Sequence, residues 1–532
     1  MLTEIMVTAS VRFFLCFAFS VSLLGQDGAR WWRHVEFLAD DKLEGRNTGS
    51  PGHKKAAEYV AAQFERAGLK PAGVDGYIQP VKFSTRVIDE AGSSVSLTRG
   101  GVTVPLKLGE EVVIGLRIDP APQVQAGMVF VGYGLTIPEQ GFDDFAGRDV
   151  RGKVVVHLTG APAGIPGALS SHYQSAGERA ANLKRLGAVG TITIPNPKQM
   201  DIPWSRSSLA RLAPAMSLAD HSLDEAGGMK VALTMNPAFA DELFEGSGHN
   251  FAEILEAANS GKPLPHFGLL ATLKAKMAVT RGVVESQNVA AVYPGSDPVL
   301  KKQYVVMSAH LDHIGVGAPI NGDAIYNGAM DNASGVAALL DIAEMLRETH
   351  AQPKRSILFV AVTGEEKGLL GSRYFANHPT VPGAAIVADL NSDMFLPLFP
   401  LKLLTVYGLA ESTLGDDVRE VGKEVGVSIQ ADPEPLRNVF IRSDQYSFIR
   451  AGVPSLSMKV GYEKGSPEEG VAKRWLAERY HAPSDDLAQP VDKKAAGEFD
   501  AFVSKLLLRI ADAPERPRWK SDSFFKRYSK VN

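Results

Sequence analysis

Apolar and polar positions follow two different periods along this chain. Short unbroken runs rich in Val and Ile, at residues 304–307 and 357–362, read as strands buried on both faces. Between them, residues 335–346 space Ala, Leu, Ile and Met as one face of a helix. Further runs at 287–295, 384–393 and 452–458 read as strands, and helical patterns follow at 368–378, 408–426 and 493–510. Strands alternating with helices in this way predict an α/β fold with a mixed, mostly parallel sheet flanked by helices.

The N-terminal third reads differently. A helix over residues 54–67 carries the apolar stripe Ala57, Val60, Ala61 and Phe64 and stops at Gly68. From residue 83 to 119 the pattern turns to short strands. Residues 123–273 alternate strands with one helix and read as an inserted, β-rich unit. The expected order is a signal segment at 1–25, the first part of the main domain at 26–122, the insert at 123–273 and the main domain again at 274–532.

Residues 13–24 form an apolar run behind Arg12, too short to span a bilayer comfortably, and match a secretory signal. Export to the periplasm or the medium is therefore expected, with no stable membrane span in the mature chain. The one cysteine, Cys16, lies inside this run, so the mature chain is expected to lack disulfide and thiol chemistry. A formal net charge of −4 over 532 residues gives no basic footprint and argues against nucleic acid as a partner.

The chemistry gathers where the strands end. His310, Asp312 and His313 follow the first run, and Glu365 and Glu366 follow the second. Sites in open α/β sheets collect beyond the carboxyl ends of strands. Residues two apart in an extended segment project to the same side, so the Asp312 carboxylate is placed to orient the His310 imidazole. The adjacent Glu365 and Glu366 point apart, so one can bind metal while the other faces a reacting water. Asp331, Asp393 and His481 add metal-type ligands from three other segments. This mixture of His and carboxylate suits a hydrolytic zinc pair. His313 is read as a loop residue, and His157, His172, His221, His249 and His266 as surface or satisfied core residues.

The motifs SAHLDH, GAMDNASGVAALL, FVAVTGEEKGLLGS, NSDM and YHAPSD resemble those of the co-catalytic zinc aminopeptidases, the family of aminopeptidase Y and bacterial leucyl aminopeptidases. Glutamate carboxypeptidase II is a more distant member. HVEFLADDKLEGRNTGSPG resembles that family's N-terminal segment, and the insert is similar to a protease-associated domain. The resemblance implies two zinc ions per chain and peptide substrates cleaved at the N-terminus. It implies that His310 and Asp393 hold one zinc, that Glu366 and His481 hold the other, and that Asp331 bridges them. It assigns Glu365 as general base, Asp312 as the partner of His310, Asp485 as an organiser of the His481 loop, and Tyr446 as a donor to the tetrahedral intermediate. Gln445 stands where relatives often carry His. Two other chemistries on this fold remain open at this point. One is a single-zinc glutaminyl cyclase-type acyl transfer. The other is a glutamate-type carboxypeptidase, for which Arg437, Arg442 and Lys459 are the available cations, although each reads more simply as a surface residue.

Overall fold

The computed structural model describes residues 28–437 and 439–529. The expected signal segment, with Cys16, lies outside the described residues. Among them no helix is long and apolar enough to cross a membrane.

The larger of two principal sheets has ten strands. Its centre is four parallel strands in the order Ser356–Val362, Tyr304–His310, Ile386–Asn391 and Ser455–Val460. Every residue of Ser356–Val362 and Ile386–Asn391 is buried, as expected of strands covered on both faces. Antiparallel strands extend the sheet on both sides: Val279–Tyr293, Ile78–Ile88 and Ala215–Leu218 on one, Leu403–Tyr407 on the other. The register pairs His310 with Val362 and Ser308 with Asn391, so three strands end level with one another and release their loops into one place.

Helix Ser334–Glu348 crosses over between the first two of these strands and buries nearly its whole surface. Helices Ala29–Leu38 and Lys493–Asp512 pack beside it, joined in one core from Trp31 to Ile510. The buried turn before Ser334–Glu348 needs glycine at 328. Its φ is +61°, and a Cβ there would lie 2.1 Å from the Asp331 carbonyl oxygen.

The smaller sheet has eight strands and its own core. Its order is Val102–Leu106, Ser94–Arg99, His266–Lys276, Gln123–Val131, Val154–Leu158, Gly190–Ile194, Val231–Met235 and Val112–Ile114. The expected boundary at residue 123 therefore lies too late. Three strands ahead of it belong to this sheet, because Ser94–Arg99 hydrogen-bonds to His266–Lys276 and Val112–Ile114 to Val231–Met235. Nor is the insert self-contained, since Ala215–Leu218 returns to pair with Ile78–Ile88 at the edge of the larger sheet.

Candidate metal centre

The level strand ends bring all five expected ligands together. His310 Nε2 lies 3.2 Å from Asp331 Oδ1 and 3.4 Å from Asp393 Oδ1. His481 Nε2 lies 3.3 Å from Asp331 Oδ2 and 3.2 Å from Glu366 Oε2. Each oxygen of Asp331 thus faces a different imidazole, and behind each imidazole stands a further carboxylate. Glu366 Oε1 and Asp393 Oδ1 are buried and receive no well-aligned hydrogen bond, although His313 Nδ1 stands 2.7 Å and His310 Nε2 3.4 Å away. Buried carboxylates crowded together in this way are costly unless a cation sits among them. Two groups that share Asp331 have donor atoms close enough to hold a cation, His310 with Asp393 and His313 with Glu366, and His481 faces the second; these His and carboxylate donors fit divalent zinc.

Charge in the cluster is balanced by protons on its imidazoles and by the nearby cations Arg46, Lys367 and Lys459. Burial opposes the charged form of His481, yet Glu366 and Asp331 push its pKa up to about 10. Burial likewise opposes the His310 cation, and Glu365, Asp331 and Asp393 raise it well above its ordinary value. Burial is also the largest influence on Glu365. Together with Glu366 and Asp393 it raises that carboxyl well above the usual range, with His310 opposing.

The contacts of Asp312 differ from the expected ones. His310 Nδ1 donates to the Asp312 main-chain carbonyl at 3.0 Å, while the nearer carboxylate oxygen is 4.0 Å away. A carbonyl only accepts, so this bond places a proton on Nδ1 and turns Nε2 toward Asp331 and Asp393. The Asp312 carboxylate instead accepts from the Glu365 N–H at 3.1 Å and from the Thr48 hydroxyl at 2.8 Å. One residue thus aims both a ligand and the expected base.

Asp485 also acts beyond its own loop. Its carboxylate accepts the N–H groups of Met330 and Asp331 at 2.9 and 3.0 Å, and its carbonyl accepts that of Ala329. It organises the Asp331 turn as well as its own loop, where Gln489 donates to its carboxylate and its N–H donates to the Ala482 carbonyl. Arg46, fully buried in the N-terminal segment, donates to the carbonyls of Leu311, Asn327 and Gly328 and ties the His310 loop to that turn.

Tyr446 lines the same cleft as Glu365, Glu366 and His481. Its hydroxyl is 3.0 Å from His172 Nδ1 in the smaller sheet's unit, and its ring packs with Phe440 and Trp519. Tyr480, which the sequence reading passed over, is the tyrosine beside the ligands. Its ring lies 4.1 Å from that of His481. Burial raises its hydroxyl pKa well above the usual value, Arg442 opposing and Asp331, Glu366 and Glu365 reinforcing. Its adjacency to His481 was the available signal. His313, read as a loop residue and not a ligand, is fully buried with its Nδ1 2.7 Å from Glu366 Oε1, and with Asp331 and Glu366 it forms a group that could hold a metal ion. Gln445 is structural, accepting from Asn391 at 2.7 Å and donating to the Phe440 carbonyl at 2.9 Å.

Above the ligands opens a cleft of about 740 Å³, walled on one side by the smaller sheet's unit and floored by Glu365, Glu366 and His481. Arg437 and Arg442 are not free surface residues but line this cleft, bound to Asp201 at 2.7 and 2.8 Å. Lys459 lines a separate, smaller cavity. Of the smaller unit's histidines, His157 and His172 are buried and bonded, and His266 pairs with Asp144 at 3.0 Å.

Residues 288–507 match the peptidase family M28. That stretch holds all five expected ligands, together with Glu365 and Tyr480. Leupeptin-inactivating enzyme 1 of Streptomyces exfoliatus is 28% identical over 237 residues, covering 43% of this chain and 50% of that protein. The "probable leucine aminopeptidase 2" of Aspergillus oryzae is 30% identical over 213 residues, covering 38% of this chain and 40% of that protein. The chain spans half or less of the length of these relatives. Among solved structures, the aminopeptidase from Aneurinibacillus sp. strain AM-1 shares the fold, with a TM-score of 0.53 and 19% identity over 92% of this chain and 95% of that one. The M28 match stops short of the smaller sheet, whereas the likeness of fold extends across it.

Proposed function

We propose that this protein is an exported zinc aminopeptidase that removes N-terminal residues from short peptides. The observation that carries the reading is the placement of Asp331, with one carboxylate oxygen toward His310 and the other toward His481. His310 and Asp393 would hold one zinc, His481 and Glu366 the other, with Asp331 shared. Bound zinc supplies Lewis acidity to the scissile carbonyl and makes a neighbouring water a better nucleophile.

The chain's own residues do the rest. Glu365, fixed through its N–H by Asp312, takes the proton of the attacking water and passes it to the leaving amine. The positive charge held by the ligand sets counters the rise in its pKa and keeps the carboxylate form available. Tyr480 takes the role expected of Tyr446, with its hydroxyl at the cleft wall donating to the developing oxyanion. The smaller sheet's unit, in the position of a protease-associated insert, covers one side of the cleft and favours short substrates.

Elemental analysis of the purified protein tests the centre, with two zinc ions per chain expected. His481→Ala should retain one. A single zinc in the native protein would favour acyl transfer of the cyclase type instead. Glu365→Gln should keep both metals while kcat on aminoacyl amides falls about 10³-fold, the scale of a lost general base. Unchanged turnover would remove Glu365 from that role. N-terminal sequencing of exported protein checks removal of residues 1–25.

A further inference from the structure

His313 lies outside the expected ligand set, yet it stands inside the centre. It is fully buried at the end of the segment SAHLDH. Its N–H donates to the Arg46 carbonyl at 3.3 Å, which holds its loop against the N-terminal segment. Gly328 clears the space for its ring, since a Cβ at 328 would lie 2.5 Å from the His313 Cγ. Placed in this way, the ring faces the second ligand set. Its Nδ1 lies 2.7 Å from Glu366 Oε1 and 3.8 Å from Asp331 Oδ2, and its centre is 5.8 Å from that of the His481 ring.

Neither ring nitrogen of His313 makes a hydrogen bond, although Nδ1 is within reach of Glu366 Oε1. An N–H donor weakens steeply below about 120°, so at this distance the contact fails on direction. Two buried atoms of ligand type that stand this close without pointing at each other are arranged as donors to a common third atom. The oxygens of Glu366 divide accordingly, Oε1 toward His313 and Oε2 toward His481. The second set therefore holds two imidazoles, whereas the first holds His310 alone, facing Asp331 and Asp393 through Nε2.

We infer that His313 is a further ligand of the second zinc, so that four protein groups close that site, His313, His481, Glu366 and Asp331, and the open coordination position belongs to the first. The inference rests on the paired-zinc reading above. Structural zinc sites are closed by four protein ligands, whereas catalytic sites keep three and an open position. The two ions then differ in work: the second anchors the Asp331 turn to the His481 loop, and the first meets the substrate. The expected base stands on the open side, because Asp312 holds both the Glu365 N–H and His310 Nδ1.

The test loads the metal-free full chain with one equivalent of zinc, which the closed site should take first, and counts imidazoles around the ion by X-ray absorption. Two are expected in native protein, from His313 and His481, and one in His313→Ala. Titration with a chromogenic chelator should then strip the two-zinc protein in two separate steps. In His313→Ala the tighter ion should loosen by more than about 100-fold, beyond the cost of losing an outer partner, with the weaker one unchanged. His313→Gln should lose as much, because an amide can still hydrogen-bond to Glu366 but its carbonyl is a poor ligand for zinc. Metal-free variants should melt with the metal-free native protein. One imidazole in the native one-zinc form overturns the inference, and that count decides by itself if His313→Ala does not fold. Retained affinity in either variant also overturns it and leaves His313 as an outer partner of Glu366. If native protein binds a single zinc in excess metal, the paired reading itself fails, a result distinct from the imidazole count.

Discussion

At the scale of single residues, the centre depends on groups that never touch a substrate. Asp485 holds two amides of the Asp331 turn and is itself fully buried. Replacing it by Asn removes one acceptor and turns an NH₂ toward a backbone N–H. Asp485→Asn should weaken zinc binding about 10- to 100-fold, as losses of outer-shell partners do, measured by competition with a chromogenic chelator. Asp500 gives a second case, remote from the centre. It is fully buried beside Asp341, which also pairs with Arg30. Burial, reinforced by Asp341, raises its pKa well above the ordinary value. A carboxyl raised in the folded state stabilises fully below its unfolded pKa of about 4 and loses that contribution as pH rises. Asp500→Asn should therefore raise the thermal midpoint at pH 8 and gain less, or nothing, at pH 4.5. An equal gain at both would show that no raised pKa is involved.

At the scale of elements, the cleft is a seam between two sheets, held by named ties. Asp201, on a loop of the smaller unit, bridges Arg437 and Arg442. Arg206 donates to the carbonyls of Leu476 and Ala477 at the end of helix Pro467–Glu478, just ahead of His481. The C-terminal segment crosses the same seam, with Arg527 on Glu139 and Tyr528 against His172. Burial opposes the Asp201 carboxylate, but Arg442 and Arg437 overcome it and hold its pKa below the ordinary value. A depressed carboxyl contributes fully above its unfolded pKa and loses that contribution as pH falls through the folded value. Asp201→Ala should lower the thermal midpoint at pH 7, and its gap to the native protein should narrow below pH 4. The same variant should cleave long peptides faster relative to dipeptides, if the smaller unit caps the cleft.

At the scale of the molecule, the five ligands come from five segments spread between residues 310 and 481. Metal bound there cross-links the ends of three central strands, the turn before helix Ser334–Glu348 and the loop after helix Pro467–Glu478. A ligand bound only by the folded state stabilises by about 4 kcal/mol when present at about 1,000 times its Kd. Chelation should therefore lower the thermal midpoint by several degrees, and added zinc should restore it. An unchanged midpoint in protein shown by analysis to be metal-free would mean that the centre is organised without the ion.

What the sequence determined by itself was the framework and the residue types gathered at its strand ends. Unbroken apolar runs in parallel strands and helical spacing between them are local patterns, so the α/β sheet was legible. So were the ligand types at its strand ends, because chain direction alone puts those ends on one side. The tertiary structure decided what lies between segments. The partner of His310 proved to be the Asp312 carbonyl, a main-chain group that any residue at 312 would supply, so no side-chain pattern could announce it. Burial of His313 against Glu366 and the clamp of Asp201 on Arg437 and Arg442 depend on packing between separate segments, where spacing carries no information. The smaller sheet's boundary was missed for the same reason. Strands Ser94–Arg99 and Val112–Ile114 look alike in sequence whichever sheet they join, and only their hydrogen-bonded neighbours decide it.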